Sequence, residues 1–375
     1  MSLYKNFLIA VISLILFFLS SISIINYYID PGNQFFRSQK FEEKLANHLL
    51  ANQDVMIRFN YNARLLKKII LAKIKARPDF LIIGSSRVML MNHHLFNTPS
   101  FYNTWVPLGA TIQDDIAIYY LFQKRGWGPP KTVLICLDTW ILSRNNGKEA
   151  WKVFFPEYMA AKKLFLNDRP PPRFYEQWSE TVNKYTQLLS IDYLTASFNK
   201  MNESRQIKSH SLIEDILVSS NPNDCPTCDI EHPDGSRTLS MKKELTTREE
   251  ADVLGRKSII HTRYNNSYTE LDPDYTKLFE DFIHYLLSKN VHVILYLPPY
   301  EPAAYYEIQN DPNYKMIPFS ELYFRSIASK YHLEIIGSYN PDQLRLRADD
   351  FVDDMHLKEK GVWKIFNNKF DLKNT

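Results

Sequence analysis

Asp79-Phe-Leu-Ile-Ile-Gly84-Ser-Ser-Arg-Val-Met-Leu90 is the stretch on which the fold of this chain turns. Four apolar residues, Phe80 to Ile83, follow Pro78, which stops any preceding helix, and they end at Gly84. A short apolar run bounded in this way reads as a buried parallel strand before a turn. Ser85 and Ser86 then stand at the mouth of the turn. A hydroxyl at the carboxyl end of a central strand, beside N–H groups freed by a turn into a helix, is placed for nucleophilic attack. The plainer alternative is an ordinary turn with a serine helix cap.

The second half of the pattern lies near the C-terminus. Phe351-Val-Asp353-Asp-Met-His356-Leu357 sets an aspartate three residues before a histidine and is followed by an apolar helix pattern from Val362 to Phe370. A serine hydroxyl is a weak nucleophile until a base takes its proton. Histidine does this near neutral pH, and a carboxylate fixes its tautomer. The expected roles are therefore Ser86 as nucleophile, His356 as base and Asp353 as its orienting carboxylate. Gly109, after the next expected strand, has the backbone freedom to aim its N–H at an oxyanion beside that of Ser86. His93, His94, His261 and Asp354 are weaker candidates, since an isolated histidine is more often a surface or core residue.

The 375 residues suffice for one large domain with an insertion, or for two. A formal charge of only +3, with no basic cluster among aromatics, argues against nucleic-acid binding. Phe7 to Tyr28 is almost uninterrupted apolar sequence, long enough to span a bilayer and without a convincing cleavage site at its end. It reads as an uncleaved anchor. Lys5 precedes it while Arg37, Lys40 and Lys44 follow it, so charge alone leaves the orientation open. Cys136 lies in an apolar run and reads as an inert core residue. Cys225 and Cys228, in Cys-Pro-Thr-Cys, can form a small local disulfide or an idle loop, and with His232 they offer three zinc-type ligands without a fourth.

Strand and helix patterns alternate around the Asp79 stretch. Apolar residues at Leu45, Leu49 and Leu50, then at Leu65, Leu66, Ile69 and Ile70, predict connecting helices. Phe101–Trp105 and Thr132–Leu137 predict strands on either side of a helix capped by Thr111, with Ile112, Ile116, Tyr119 and Tyr120 on its apolar face. The rhythm resumes at Asp272-Pro273, a helix cap followed by a first-turn proline. It continues through a strand at Val291–Leu297, a helix at Phe319–Tyr331 and a strand at Leu333–Ile336. Such alternation predicts an α/β fold with a parallel sheet covered by helices on both faces. The expected division is a tail (1–6), a transmembrane anchor (7–28), a helical connector (29–77), a catalytic domain (78–142 with 272–375) and an insertion or cap (143–271).

The order of Gly84-Ser-Ser86-Arg87, Gly109 and Asp353-Asp-Met-His356 resembles the SGNH/GDSL hydrolase superfamily. With the anchor, Leu137-Asp138-Thr-Trp140 and Leu297-Pro-Pro-Tyr300, the chain looks most like the membrane-anchored, exported branch, which includes proteins of alginate O-acetylation and teichoic acid D-alanylation. The resemblance implies a three-layer α/β/α sandwich with a flavodoxin-like parallel sheet. It also implies an extracytoplasmic serine esterase or O-acyltransferase, held in the inner or cytoplasmic membrane, acting on acyl esters of an envelope glycan or lipid-linked saccharide. A multi-spanning membrane acyltransferase is the partner it suggests, and no metal or organic cofactor is called for. One block departs from the family: its Gly-x-Asn-Asp segment is missing and Asp138 stands near that place, which implies either a different donor, for which Asn145 or Asn146 are candidates, or reduced activity. That departure supports an alternative role as a non-catalytic polymer-binding or assembly subunit of an acylation complex.

Overall fold

The computed structural model describes residues 2–29, 40–57, 61–107, 109–143, 150–165, 185, 187–189, 194, 197–198, 216–266 and 269–370. The chain divides into two compact units. One comprises Met1–Lys44, Phe59–Asn62 and Pro171–Asp215; the other comprises Leu45–Arg58, Ala63–Pro170 and Ile216–Thr375.

The first unit is organised on helix α1 (Ser2–Ile29). Tyr4–Ile29 has a mean hydropathy of 2.8 over its most apolar window and buries none of that window in the protein, so it is long and apolar enough to cross a membrane. Near its end Asn26 is fully buried. Its amide donates to the Leu188 carbonyl and its oxygen accepts from Ser197, which satisfies a polar group that lipid would not.

The second unit carries two sheets. Its strands in chain order are β1 (Val55–Ile57), β2 (Phe80–Ile83), β3 (Phe101–Asn103), β4 (Thr132–Cys136), β5 (Ile216–Val218), β6 (Asp229–Glu231), β7 (Arg237–Thr238), β8 (His292–Leu297) and β9 (Glu334–Gly337). Five of them form a sheet in the order β3-β2-β4-β8-β9, with every pairing parallel. Phe80, Ile82, Leu134, Cys136, Ile294, Tyr296 and Ile336 share one core with Val362, Ile365 and Phe366 of the C-terminal helix. The alternate residues Leu81, Ile83, Val133, Ile135, Val293 and Leu295 are equally buried, so both faces are covered, which explains the unbroken apolar strands. The result is a mixed α/β protein built on a five-stranded parallel sheet.

The helices after α1 are α2 (Lys40–Leu50), α3 (Ala63–Lys73), α4 (Ile112–Gln123), α5 (Phe155–Phe165), α6 (Arg248–Asn266), α7 (Pro273–Ser288), α8 (Pro302–Asn310), α9 (Met316–Tyr331) and α10 (Glu359–Phe370), besides shorter turns. Their starts follow local chemistry. Thr111 caps α4 through a capping box with Asp114, and Asp272 caps α7 ahead of Pro273. Tyr119 of α4 meets Phe282 of α7 edge to face at 5.7 Å.

The described part of the region expected to be an insertion or cap contributes strands. β5, β6 and β7 join β1 in a four-stranded antiparallel sheet of order β5-β1-β6-β7. β1 comes from the stretch expected to be helical connector, and the compact unit includes it. Its three residues are all buried and apolar, too short a run for periodicity to separate from the flanking helices. Cys225 and Cys228 form a disulfide packed with Met56 and Ile230 of this sheet. Buried Lys67 fastens the β6–β7 turn to the parallel sheet, donating to the carbonyls of Asn103 and Gly235 at 2.9 and 2.8 Å.

Candidate active site

In the parallel sheet the chain passes from β2 to β3 on one side and then to β4 on the other side of β2. The loops leaving β2 and β4 therefore diverge, and the carboxyl ends of such strands are where open α/β sheets ordinarily take their ligands. Gly84 ends β2, and a Cβ there would collide with that of Cys136 on β4, so close strand packing requires glycine. A short 3-10 turn, Ser86–Val88, follows at once. Ser85 caps it, its hydroxyl accepting from Arg87 N at 3.3 Å, while Ser86 occupies the first position of the turn. Ser85 takes the capping role of the plainer alternative and is buried, while Ser86 is partly exposed. The Ser86 N–H, at that first position, finds no acceptor within the turn.

Ser86 Oγ lies 2.8 Å from His356 Nε2. The histidine arrives on a loop closed at both ends by the core residues Phe351 and Leu357, which pair as an isolated bridge, and Val352 N donates to His356 O at 2.8 Å. Within the loop Asp353 accepts the N–H groups of Met355 and His356 at 3.0 and 2.8 Å, a side-chain turn that fixes its carboxylate. The same carboxylate contacts His356 Nδ1 at 3.0 and 2.8 Å, leaving Nε2 for Ser86. Burial opposes the charge on Asp353, but the neighbouring His356 and three hydrogen-bond donors outweigh it and hold the carboxyl at about 2. Burial likewise opposes a charged His356, and the Asp353 charge and hydrogen bond overcome it and raise the imidazole above its ordinary value.

Gly109 sits in the loop after β3 with φ +75°, a left-handed conformation that favours glycine. The loop runs against the nucleophile turn: Val106 N donates to Gly84 O at 2.9 Å, and Val106 pairs with Ser85. Arg64 on α3, which the sequence reading passed over, holds this loop. It donates to the carbonyls of Pro107 and Gly109 at 2.8 and 3.3 Å and makes a two-point contact with Asp114, the capping-box partner of Thr111 in α4. The Thr111-x-x-Asp114 capping pattern was visible, but no spacing rule links it to position 64.

Asp138 is fully buried after β4 and lies 3.6 Å from the Arg87 guanidinium, so it stands beside a buried cation. Arg87 also donates to the carbonyls of Pro298 and Pro299 at 2.8 and 2.6 Å and lies 4.5 Å from the centre of the Tyr300 ring. The Pro298-Pro299-Tyr300 loop is thus tied to the side chain of the residue that follows Ser86. Asn145, Asn146 and the side chain of His261 lie outside the described residues. Asp354 is buried and its carbonyl accepts Glu301 N at 2.9 Å. His93 and His94 are elsewhere, lining a cavity of about 740 Å3 with Asp54, His232, Asp234 and Thr238. Among the described residues no group of three or more histidine, cysteine or acidic side chains is placed to hold a metal ion. The chain matches no protein-family model, and no curated protein matches it.

Proposed function

We propose that this protein is a membrane-anchored serine esterase or O-acyltransferase acting on acyl esters outside the cytoplasm. One observation carries the reading: Ser86, His356 and Asp353, far apart in the chain, are joined by hydrogen bonds of 2.8 to 3.0 Å at the turn that follows β2 of the parallel sheet. As Ser86 Oγ attacks the acyl carbon, its proton passes to His356 Nε2, and the carbonyl electron pair moves to oxygen opposite the N–H groups of Ser86 and Gly109. Collapse expels the alcohol, which takes the proton from Nε2, and leaves an acyl-serine. Attack by water, its proton passing to His356, breaks the acyl–Oγ bond as that proton returns to Ser86 Oγ, and releases the acid; attack by a sugar hydroxyl in the same way releases the transferred ester.

The resemblance to SGNH/GDSL hydrolases supports the substrate class, O-acyl groups of an envelope glycan or lipid-linked saccharide. It also supports a three-layer α/β/α arrangement and cooperation with a multi-spanning membrane acyltransferase. The strand order agrees with the flavodoxin-like order 2-1-3-4-5. The Cys225–Cys228 disulfide supports an extracytoplasmic location, because such bonds persist in oxidising compartments. A non-catalytic subunit is the second reading, and it draws on Asp138 replacing a donor asparagine. Labelling of the full chain in detergent with a fluorophosphonate separates the two. Wild type should react while Ser86→Ala and His356→Ala should not; a folded wild type inert both to the probe and to a small acetyl ester would overturn the enzymatic reading.

A further inference from the structure

The cavity of about 740 Å3 beside His93 and His94 shares no residue with the set formed by Ser86, His356, Asp353 and Gly109. Pro78, Pro99 and Phe101 place it at the amino ends of β2 and β3, whereas Ser86 leaves the carboxyl end of β2. Its opposite wall is the β6–β7 turn, which carries Asp234. That wall is fixed. Lys67 fastens the turn to the parallel sheet, and a Cβ at Gly235 would collide with the Asn103 carbonyl, so the turn lies directly on β3. Asp234 accepts the His93 N–H at 3.1 Å and meets His93 Nδ1 at 2.7 Å, while its other oxygen accepts from the Ser236 N–H and hydroxyl. The His93 ring is thereby held in one orientation with Nε2 unpaired among the described residues, and the exposed His94 ring lies against it, centroids 3.9 Å apart. Asn92 uses its side-chain oxygen to accept from Leu95 N, which leaves its amide N–H groups available. A cavity of this volume, with its walls set in advance, has the dimensions of a small-ligand site.

The charged groups of the lining are already occupied. Asp54 is taken by His232 at 2.8 Å, and Asp234 by His93 and Ser236. Arg77, the one permanent cation among the described lining residues, contacts Asp79 at 2.7 Å and donates to the carbonyls of Trp127 and Pro129. A phosphate would therefore meet no free permanent cation among the described residues, and a metal ion no set of three ligands. What stays open is uncharged hydrogen-bonding chemistry, the Asn92 amide and His93 Nε2, next to the His94 ring and the apolar surfaces of Pro78, Pro99 and Phe101. A sugar ring has the matching pattern, with hydroxyls around its edge and C–H groups on its faces. We infer that this cavity is a second binding site, for an uncharged stretch of a saccharide chain. The inference rests on the proposed substrate class, a glycan, and not on Ser86 acting as a nucleophile. Such a site keeps a polymer on the protein while its acyl groups are exchanged at Ser86. It also gives the antiparallel sheet a use, since the β6–β7 turn is the wall that holds His93.

The test is saturation-transfer NMR and calorimetric titration of the full chain, in a detergent without a sugar headgroup, against cellotetraose, mannotetraose, galactotetraose and chitotetraose. Wild type and Ser86→Ala should both bind at least one of them, with a dissociation constant of about 1 mM or tighter. Ala76→Trp sets a large ring at the exposed rim of the cavity, and His94→Ala removes the exposed ring; each should weaken that binding by at least about tenfold. Both positions lie at the surface, so both variants should keep the wild-type circular dichroism spectrum, and a loss in either one places the saccharide in the cavity. Binding undiminished in both would put the saccharide elsewhere and overturn the inference. So would failure of all four to bind, or inorganic phosphate binding at the cavity in their place. Fluorophosphonate labelling judges the nucleophile separately. A chain that binds saccharide at the cavity yet never labels keeps this inference and overturns the esterase reading, whereas one that labels and binds none of the four overturns this inference alone.

Discussion

The molecule contains two relays of carboxylate, imidazole and hydroxyl with nearly the same local geometry. In one, Asp353 holds His356 Nδ1 and Ser86 Oγ lies 2.8 Å from Nε2. In the other, Asp54 holds His232 Nδ1 at 2.8 Å and Thr238 Oγ1 lies 2.8 Å from Nε2. Exposure does not separate them, since each imidazole is 25 % exposed. What differs is the backbone beneath the hydroxyl. Ser86 begins a turn whose leading N–H lies outside the turn's own hydrogen bonds, beside a loop that carries a left-handed glycine. Thr238 lies in β7, paired with Ile230, where N–H groups serve the ladder and a β-branched side chain has little freedom. The second relay holds a hairpin together at the rim of a cavity; the proposed function requires that the first, unlike it, has the Ser86 and Gly109 N–H groups as donors to an oxyanion. A relay activates a hydroxyl only where something also receives the oxyanion.

The sharpest way to break this comparison is to remove each hydroxyl. Ser86→Ala should lower fluorophosphonate labelling and acetyl-ester hydrolysis by at least about 10³-fold, whereas Thr238→Val should leave both within twofold. Comparable losses from both variants would show that the second relay takes part in the chemistry.

The carboxylates should differ almost as much. Asp353→Asn should reduce hydrolysis by roughly 10³ to 10⁴-fold, the size expected when the imidazole loses its orienting anion, and Asp54→Asn should not. His356 works as a base only when neutral, and its folded-state value is raised. Wild-type activity should therefore fall as pH drops through a midpoint above the ordinary histidine value of about 6.5. In Asp353→Asn the residual activity should show a lower midpoint, because the anion that raised it has gone. A midpoint unchanged by this substitution would assign the acidic limb to another group.

Gly109 offers a finer cut. Gly109→Ala and Gly126→Ala both force alanine into a left-handed conformation, at φ +75° and +72°, and each should cost about 1 kcal/mol of stability. A Cβ at Gly126 meets nothing within 4 Å, so that variant reports strain alone. Only Gly109→Ala should also slow acetyl-ester hydrolysis, by about 10²-fold, the scale of one lost oxyanion donor. Equal rates in the two variants would remove Gly109 from the site.

The parallel sheet and the principal site were legible for the same reason: their determinants are short and local. Phe80–Ile83 is a strand by its apolar run, Thr111 and Asp272 announce helix starts, and Asp353 lies one turn from the histidine it holds. Arg64 and Arg87 were not legible as organisers, because each acts through contacts far along the chain, with Asp114 and with Pro298 and Pro299. β1 was hidden for a related cause. Its three residues become a strand only through β5 and β6, both supplied from beyond Asp215, and no local signal in Val55–Ile57 points to them. The same blindness applies to Asp138, whose buried place 3.6 Å from Arg87 has no local sequence signal.

The disulfide tests how far the antiparallel sheet supports the site. Closing the loop from Cys225 to Cys228 should contribute about 2 kcal/mol by restricting the unfolded chain, so the double variant Cys225→Ser/Cys228→Ser should lower the unfolding temperature by a few degrees. The bond lies beside Met56 and Ile230, while the contacts that reach the nucleophile turn leave from other residues. Arg237 N donates to Met89 O at 2.7 Å, and Asn103 Nδ2 donates to Val88 O and Met91 O at 2.7 and 2.9 Å. Those bonds follow Ser86 within a few residues and do not depend on the sulfur pair. Labelling of Ser86 at room temperature should consequently change by less than twofold. A larger loss, in protein still folded by circular dichroism, would mean that the hairpin transmits its packing through Arg237 to the nucleophile turn, and the two relays would then be mechanically joined.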